Sequence, residues 1–153
     1  MKRFQFPLER VLQMRRHTER EWELRLAEIS GECMVIQNNI QFMEKQKQLN
    51  LEDLAKYSNQ LSFELLQSHQ LFADKLVQEI KTKTIMLEQK EKKRQEIQKK
   101  YIEASQKRKV LEKLKEKRQD EYYQEELRAA FKEMDDLTTQ KYARNLNLDL
   151  KGE

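Results

Sequence analysis

Glycine and proline are almost missing from this chain: 153 residues hold two glycines and one proline, and none of the three lies between Ser62 and Arg144. Nothing in that stretch forces the backbone out of a helix. With so few turn formers, the strands of a sheet have no way to be connected. The single cysteine, Cys33, excludes an internal disulfide framework and agrees with a reducing cytosol. His17 and His69 are the only histidines and fall near opposite ends of the chain fold proposed below. No Cys/His spacing suits a metal, and no glycine-rich loop is present to cradle a phosphate. No run approaches the roughly 18 apolar residues of a membrane span. The opening MKRFQFPLER has basic residues but no apolar core, so a secretory signal is not expected.

What the chain does have is charge and periodicity. Charged residues make up 38% and hydrophobic residues 37%, proportions that favour a long coiled coil over a compact globule. Disorder, the rival reading of such polarity, is set aside because the apolar residues recur regularly. Pro7 suits the first turn of a helix, with Phe4 and Phe6 just ahead of it. From there one heptad set runs Leu12, Glu19, Leu26, Cys33, Ile40, Lys47, Leu54, Leu61. The other runs Leu8, Arg15, Trp22, Ile29, Ile36, Met43, Asn50, Tyr57, and the steps of three and four never slip. Arg15, Glu19, Lys47 and Asn50 are polar seam positions, which fix register at a cost in stability. Trp22 falls on the seam and is expected in the core. Gly31 lies off the seam, so the helix should pass through it.

A second stripe follows: Leu66, Ala73, Leu76, Ile80, Leu87, Ile97, Tyr101, Ala104, Leu111. One narrow stripe buries no core alone, so this helix needs a partner, and the first helix is the only long candidate. Between them, YSNQLS carries the best turn composition, with Ser58, Asn59 and Ser62 all able to cap a helix start. The expected fold is all-α: a long antiparallel coiled-coil hairpin formed within one chain. It comprises helix one at about 7–57, a turn at about 58–62, helix two at about 62–145 and a frayed tail over 146–153. Two alignments both satisfy the turn. One sets Leu12 against Leu111, Leu26 against Ile97 and Met43 against Ile80; the other sets Ile29 against Leu87 and Ile40 against Leu76.

Under either alignment helix two outruns helix one by roughly thirty residues, on the order of 45 Å. Its charge also changes along its length. From Lys90 to Arg118 there are thirteen Lys/Arg against five acids, and from Gln119 to Asp136 seven acids against Arg128 and Lys132. A fresh apolar stripe then starts in a shifted register at Tyr123, Leu127, Ala130, Met134 and Leu137. The basic run is either a solvated face, laced by Glu112 and Glu116 among its lysines, or a docking surface for an acidic protein partner. Nucleic-acid binding is the weakest of the three readings, because no groove-reading module or interleaved stacking aromatics occur. Near the turn, Leu65, Leu66, Leu71, Phe72, Leu76, Val77 and Ile80 exceed what one seam needs, which means thicker packing or an exposed patch. Long amphipathic helices without a pocket exclude no water from a reaction, so no enzyme, small-molecule substrate or cofactor is expected.

The opening FQFPLERVLQMRRHTERE resembles the start of flagellar FliJ proteins through Phe4, Phe6, Leu8 (with Val11 and Leu12), Arg15 and Glu19. SQKRKVLEKLKEKRQDEY resembles that family's basic segment through Arg108, Leu111, Glu112, Lys113, Leu114 and Arg118, and Glu133-Met134-Asp135-Asp136 its following acidic stretch. The resemblance spans nearly the whole length. It implies a non-enzymatic stalk and adaptor of the flagellar type III export apparatus, similar in fold to the central shaft of rotary ATPases. The implied partners are the hexameric export ATPase, the cytoplasmic domain of a membrane export-gate protein, and export chaperones. The implied location is the cytoplasm, peripheral at the cytoplasmic face of the inner membrane. It would place the gate contact in the turn-proximal half, at Phe72 and Leu76, beside a polar flank at Glu79 and Lys83. Joined to the overhang, it points to Lys113, Lys117, Arg118, Tyr123 and Leu127 as the ATPase contact. A generic coiled-coil scaffold or trafficking adaptor is the alternative, with a nucleic-acid-associated coiled coil third.

Overall fold

The computed structural model describes residues 3–149. Two helices account for almost all of them, α1 at Glu9–Tyr57 and α2 at Phe63–Asp149, packed antiparallel as a hairpin; no strand occurs among the described residues. Helix α1 starts after a turn at Pro7–Leu8, where the Glu9 N–H donates to the Phe6 carbonyl at 3.1 Å. Proline sits where its missing N–H removes no helical bond, and Glu9 places a negative charge on the first turn. The chain reverses over 58–62, with Gln60 N–H donating to the Tyr57 carbonyl at 2.9 Å. Ser62 is the cap of α2: its Oγ accepts from the Leu65 N–H at 3.3 Å and its carbonyl from the Leu66 N–H at 3.1 Å. That singles out Ser62 from the three equivalent cap residues. Helix α2 continues to Asp149, into the segment expected to fray, and 150–153 lie outside the described residues.

The seam follows the heptads. Of the sixteen heptad positions named above for the first half of the hairpin, from Leu8 to Leu61, only Tyr57, beside the turn, is exposed. On α2 the seam takes in His69, Lys83, Lys90, Arg94 and Arg108, all half-buried, between the apolar members. These basic residues fill the gaps that counting apolar residues leaves. Their aliphatic stems cover seam surface while the charged ends reach outward. Leu66, by contrast, is 40% exposed and does not belong to the seam.

The chain divides into two compact units. In the unit His17–Ser105, Ile29, Cys33, Ile36, Leu76 and Ala104 are buried. Trp22 lies between the guanidinium of Arg25, 4.7 Å from the ring centre, and the ammonium of Lys100, at 5.0 Å. Lys90 pairs with Glu32, a hydrogen bond that raises the lysine above its ordinary range. Both contacts fit the alignment that sets Leu26 against Ile97. Closer to the turn, Asn50 is buried and meets His69, which lies between the positions the two alignments assign it. Asn50 Nδ2 donates to the His69 carbonyl at 3.2 Å, so its Oδ1 faces the ring and accepts from His69 Nδ1. A satisfied polar pair of this kind in an apolar seam specifies register. Burial, and then the Glu91 carboxylate, push the Cys33 thiol up, so it stays protonated at neutral pH.

In the other unit, residues 3–16 pair with 106–122. Leu12 is fully buried and Phe6 nearly so. Arg16 bridges to Glu112 at 3.0 Å, and Arg108 holds the same carboxylate from the neighbouring turn. Lys115 meets Glu9 at 2.7 Å, and the Phe4 ring packs 5.6 Å from that of Tyr122.

Gly31 sits inside α1 with no positive φ, and a Cβ built on it meets nothing within 4 Å. Gly31→Ala is therefore expected to stabilise the hairpin by about 1 kcal/mol, read as a higher urea midpoint with unchanged slope. A lower midpoint would mean that this face of α1 is covered.

Candidate functional site

Among the described residues no cluster of three or more His, Cys, Asp and Glu could hold a metal, and no helix is long and apolar enough to cross a membrane. His17 pairs along its own helix with Glu21, and His69 is engaged by Asn50. The surfaces with something to offer are two, one in each unit.

The first lies beside the turn. An open groove is lined by Leu49, Asn50 and Asp53 of α1 and by Leu65, His69 and Phe72 of α2. Leu49, Leu65 and Phe72 expose 43–46% of their surface there. Phe72 thus faces solvent, whereas Leu76 is 7% exposed and belongs to the seam. Of the flank residues, Glu79 is exposed and Lys83 is half-buried in the seam one heptad beyond Leu76. The apolar face also continues onto α1 through Val35, Phe42 and Leu49, spaced seven apart and all exposed. They share one heptad position off the seam, a spacing that the sequence itself carries.

The second surface is the far part of α2. The Glu9–Lys115 pair and the Phe4–Tyr122 contact carry the packing past the start of α1, because residues 3–8 run on beside α2 as a non-helical strap. The overhang consequently begins beyond Tyr122, later than the helix lengths alone indicate. Lys113 and Lys117 are exposed on the outer surface of the paired segment, and Arg118, one heptad after Leu111, is exposed at the edge of the seam. Lys113 and Lys117 share that surface with Glu116, Asp120 and Glu121, and Lys117 Nζ lies 3.9 Å from Glu121. Tyr122 donates its hydroxyl to Glu126 at 2.7 Å, which first of all raises its phenol above the usual range.

Beyond this point the stripe stands open. Tyr123 is 50% and Leu127 58% exposed, with Phe131, Met134 and Leu137 between 58 and 65%. Phe131 was not in the sequence-derived stripe, since it sits one residue past Ala130 at the edge of the face. Every described side chain from Leu127 to Asn145 is exposed. The far part of α2 is a surface for contact. It offers a charged collar on a paired stem, then a solvent-facing apolar stripe edged by acids.

The sequence model of the flagellar FliJ protein family matches residues 4–147. Among curated proteins and solved structures, none matches the chain. The family match runs from the Phe4 strap through both helices to the end of the overhang, and on it the chain belongs to the flagellar FliJ protein family, non-catalytic components of flagellum biogenesis and protein export.

Proposed function

We propose that the chain is a non-enzymatic stalk and adaptor, linking the hexameric flagellar export ATPase to the export gate and the export chaperones at the cytoplasmic face of the inner membrane. Family membership supports the export role. The observation that carries the finer reading is the overhang, a stretch of α2 with an exposed apolar stripe that no described residue covers. Such a stripe in water is disfavoured unless a partner buries it.

In this reading the ATPase ring receives the far part of α2. Lys113, Lys117 and Arg118 face acidic groups of the ring, and Tyr123 and Leu127 supply contact area. The gate takes the turn-proximal face, with Phe72 as the touching residue and Leu76 holding the helix beneath it. A partner with neither acidic groups nor an apolar slot would fit a generic scaffold instead.

Two mutations separate these surfaces. Reversing charge at Lys113, Lys117 and Arg118 together is expected to lower stimulation of the export ATPase by about tenfold and to flatten its salt dependence. Hairpin stability should hardly change, because exposed ion pairs contribute about 0–1 kcal/mol each. Undiminished stimulation removes these residues from the contact.

Phe72→Ala is expected to weaken gate binding by about 2 kcal/mol, as for an aromatic anchor at an interface, with little change in melting temperature. Leu76→Ala is the structural control and should lower stability by about 2–5 kcal/mol by opening a cavity in the seam. Equal gate binding by Phe72→Ala and the parent chain, in a titration calorimeter, would refute the gate assignment.

A further inference from the structure

The apolar stripe of the overhang is not a continuation of the hairpin seam. The α2 seam passes through Arg108, Leu111, Lys115 and Tyr122, whereas Tyr123 lies about 100° further round the helix and Leu127 about 140°. A longer α1 would leave the stripe uncovered. Asp120 borders it on one side, Glu126 and Glu133 on the other.

A surface of opposite character lies in the same unit. Residues 3–16 and 106–112 hold seven Lys/Arg against two acids. Arg16 and Glu112 mark one flank of this paired segment. On the opposite flank stand Val11 and Leu114, each immediately before a seam residue, with Met14 and Val110 outside them. Val11, Met14 and Val110 are 38, 69 and 66% exposed, and Leu114 is half-buried. Arg10 and Lys107 rim this apolar strip, both exposed.

We propose that the acidic, apolar overhang of one chain docks along this basic, apolar flank of a second copy. The occupant follows from charge and from connectivity. Within one chain α2 runs unbroken from Phe63 to Asp149 without glycine or proline, so the overhang has no turn on which to fold back to its own flank. Stripe-to-stripe pairing of two overhangs sets Glu126 and Glu133 of each copy close to like charges, whereas overhang on flank sets acids against arginine and lysine. The overhang is a single helical stretch, so the interface lies at the small end of specific contacts, and the association is weak and salt-sensitive. This inference goes beyond the stalk reading and uses none of the three basic residues assigned there to the ATPase.

Sedimentation velocity of the full chain tests it, with a charge exchange. One variant carries Asp120→Lys at the edge of the stripe and Glu133→Lys in the overhang; the other carries Arg10→Glu and Lys107→Glu on the flank. The parent chain is expected to associate with rising concentration at low salt and to dissociate at high salt. Each variant alone should remain monomeric, and the two mixed should associate to within about threefold of the parent affinity. Should the flank variant lose helicity, Met14→Glu with Val110→Glu replaces it and is expected to abolish association in the parent background. A parent chain that stays monomeric up to hundreds of micromolar overturns the inference. Variants that self-associate as the parent does overturn it in favour of stripe-to-stripe pairing, and a mixture that stays monomeric while fully helical overturns it outright.

Discussion

The fold depends on one constraint: an 87-residue helix with a narrow apolar stripe must find a second helix to cover it. The unslipped heptad of α1 supplies that cover and decides which residues are left for anything else. Seam positions on α2 are shared between apolar residues and long basic ones, so packing near Lys83, Lys90, Arg94 and Arg108 rests on aliphatic stems and individual ion pairs as much as on interdigitated leucines. Such a seam gains little from any single contact. Its specificity comes from polar members that tolerate one alignment, among them the Asn50–His69 pair beside the turn.

Most of the architecture was legible in the residues. The α1 seam, the turn and the helical path through Gly31 each follow from periodicity or from the shortage of glycine and proline. Three features were not. The choice of Ser62 as cap depends on backbone direction, which Ser58, Asn59 and Ser62 leave undecided. The basic seam positions of α2 were hidden because burial of a lysine stem leaves no mark in a hydrophobicity pattern. The strap formed by residues 3–8 moved the start of the overhang, since helix lengths say nothing of how far a non-helical segment can run beside its neighbour. At the candidate surfaces the exposed overhang stripe was readable by elimination. The split between Phe72 and Leu76 was not, because both lie in one apolar cluster and only packing tells which of them faces inward.

Each unit thus carries a surface of its own chemistry. Beside the turn the offer is apolar and aromatic, through Phe42, Leu49 and Phe72 on both helices. At the far part of α2 it is a collar of mixed charge followed by an acid-edged apolar stripe. Surfaces that differ in this way in charge and polarity suit different partners without moving parts.

The far part of α2 is proposed to engage the export ATPase while the turn-proximal face stays free. Hydrogen–deuterium exchange of the chain, alone and with the hexameric export ATPase, tests it most directly. Added protection is predicted over residues 113–137, greatest beyond Tyr122 where the isolated helix has no partner to slow its opening, with unchanged exchange over 42–72. Protection at 42–72 with none beyond residue 113 would contradict it.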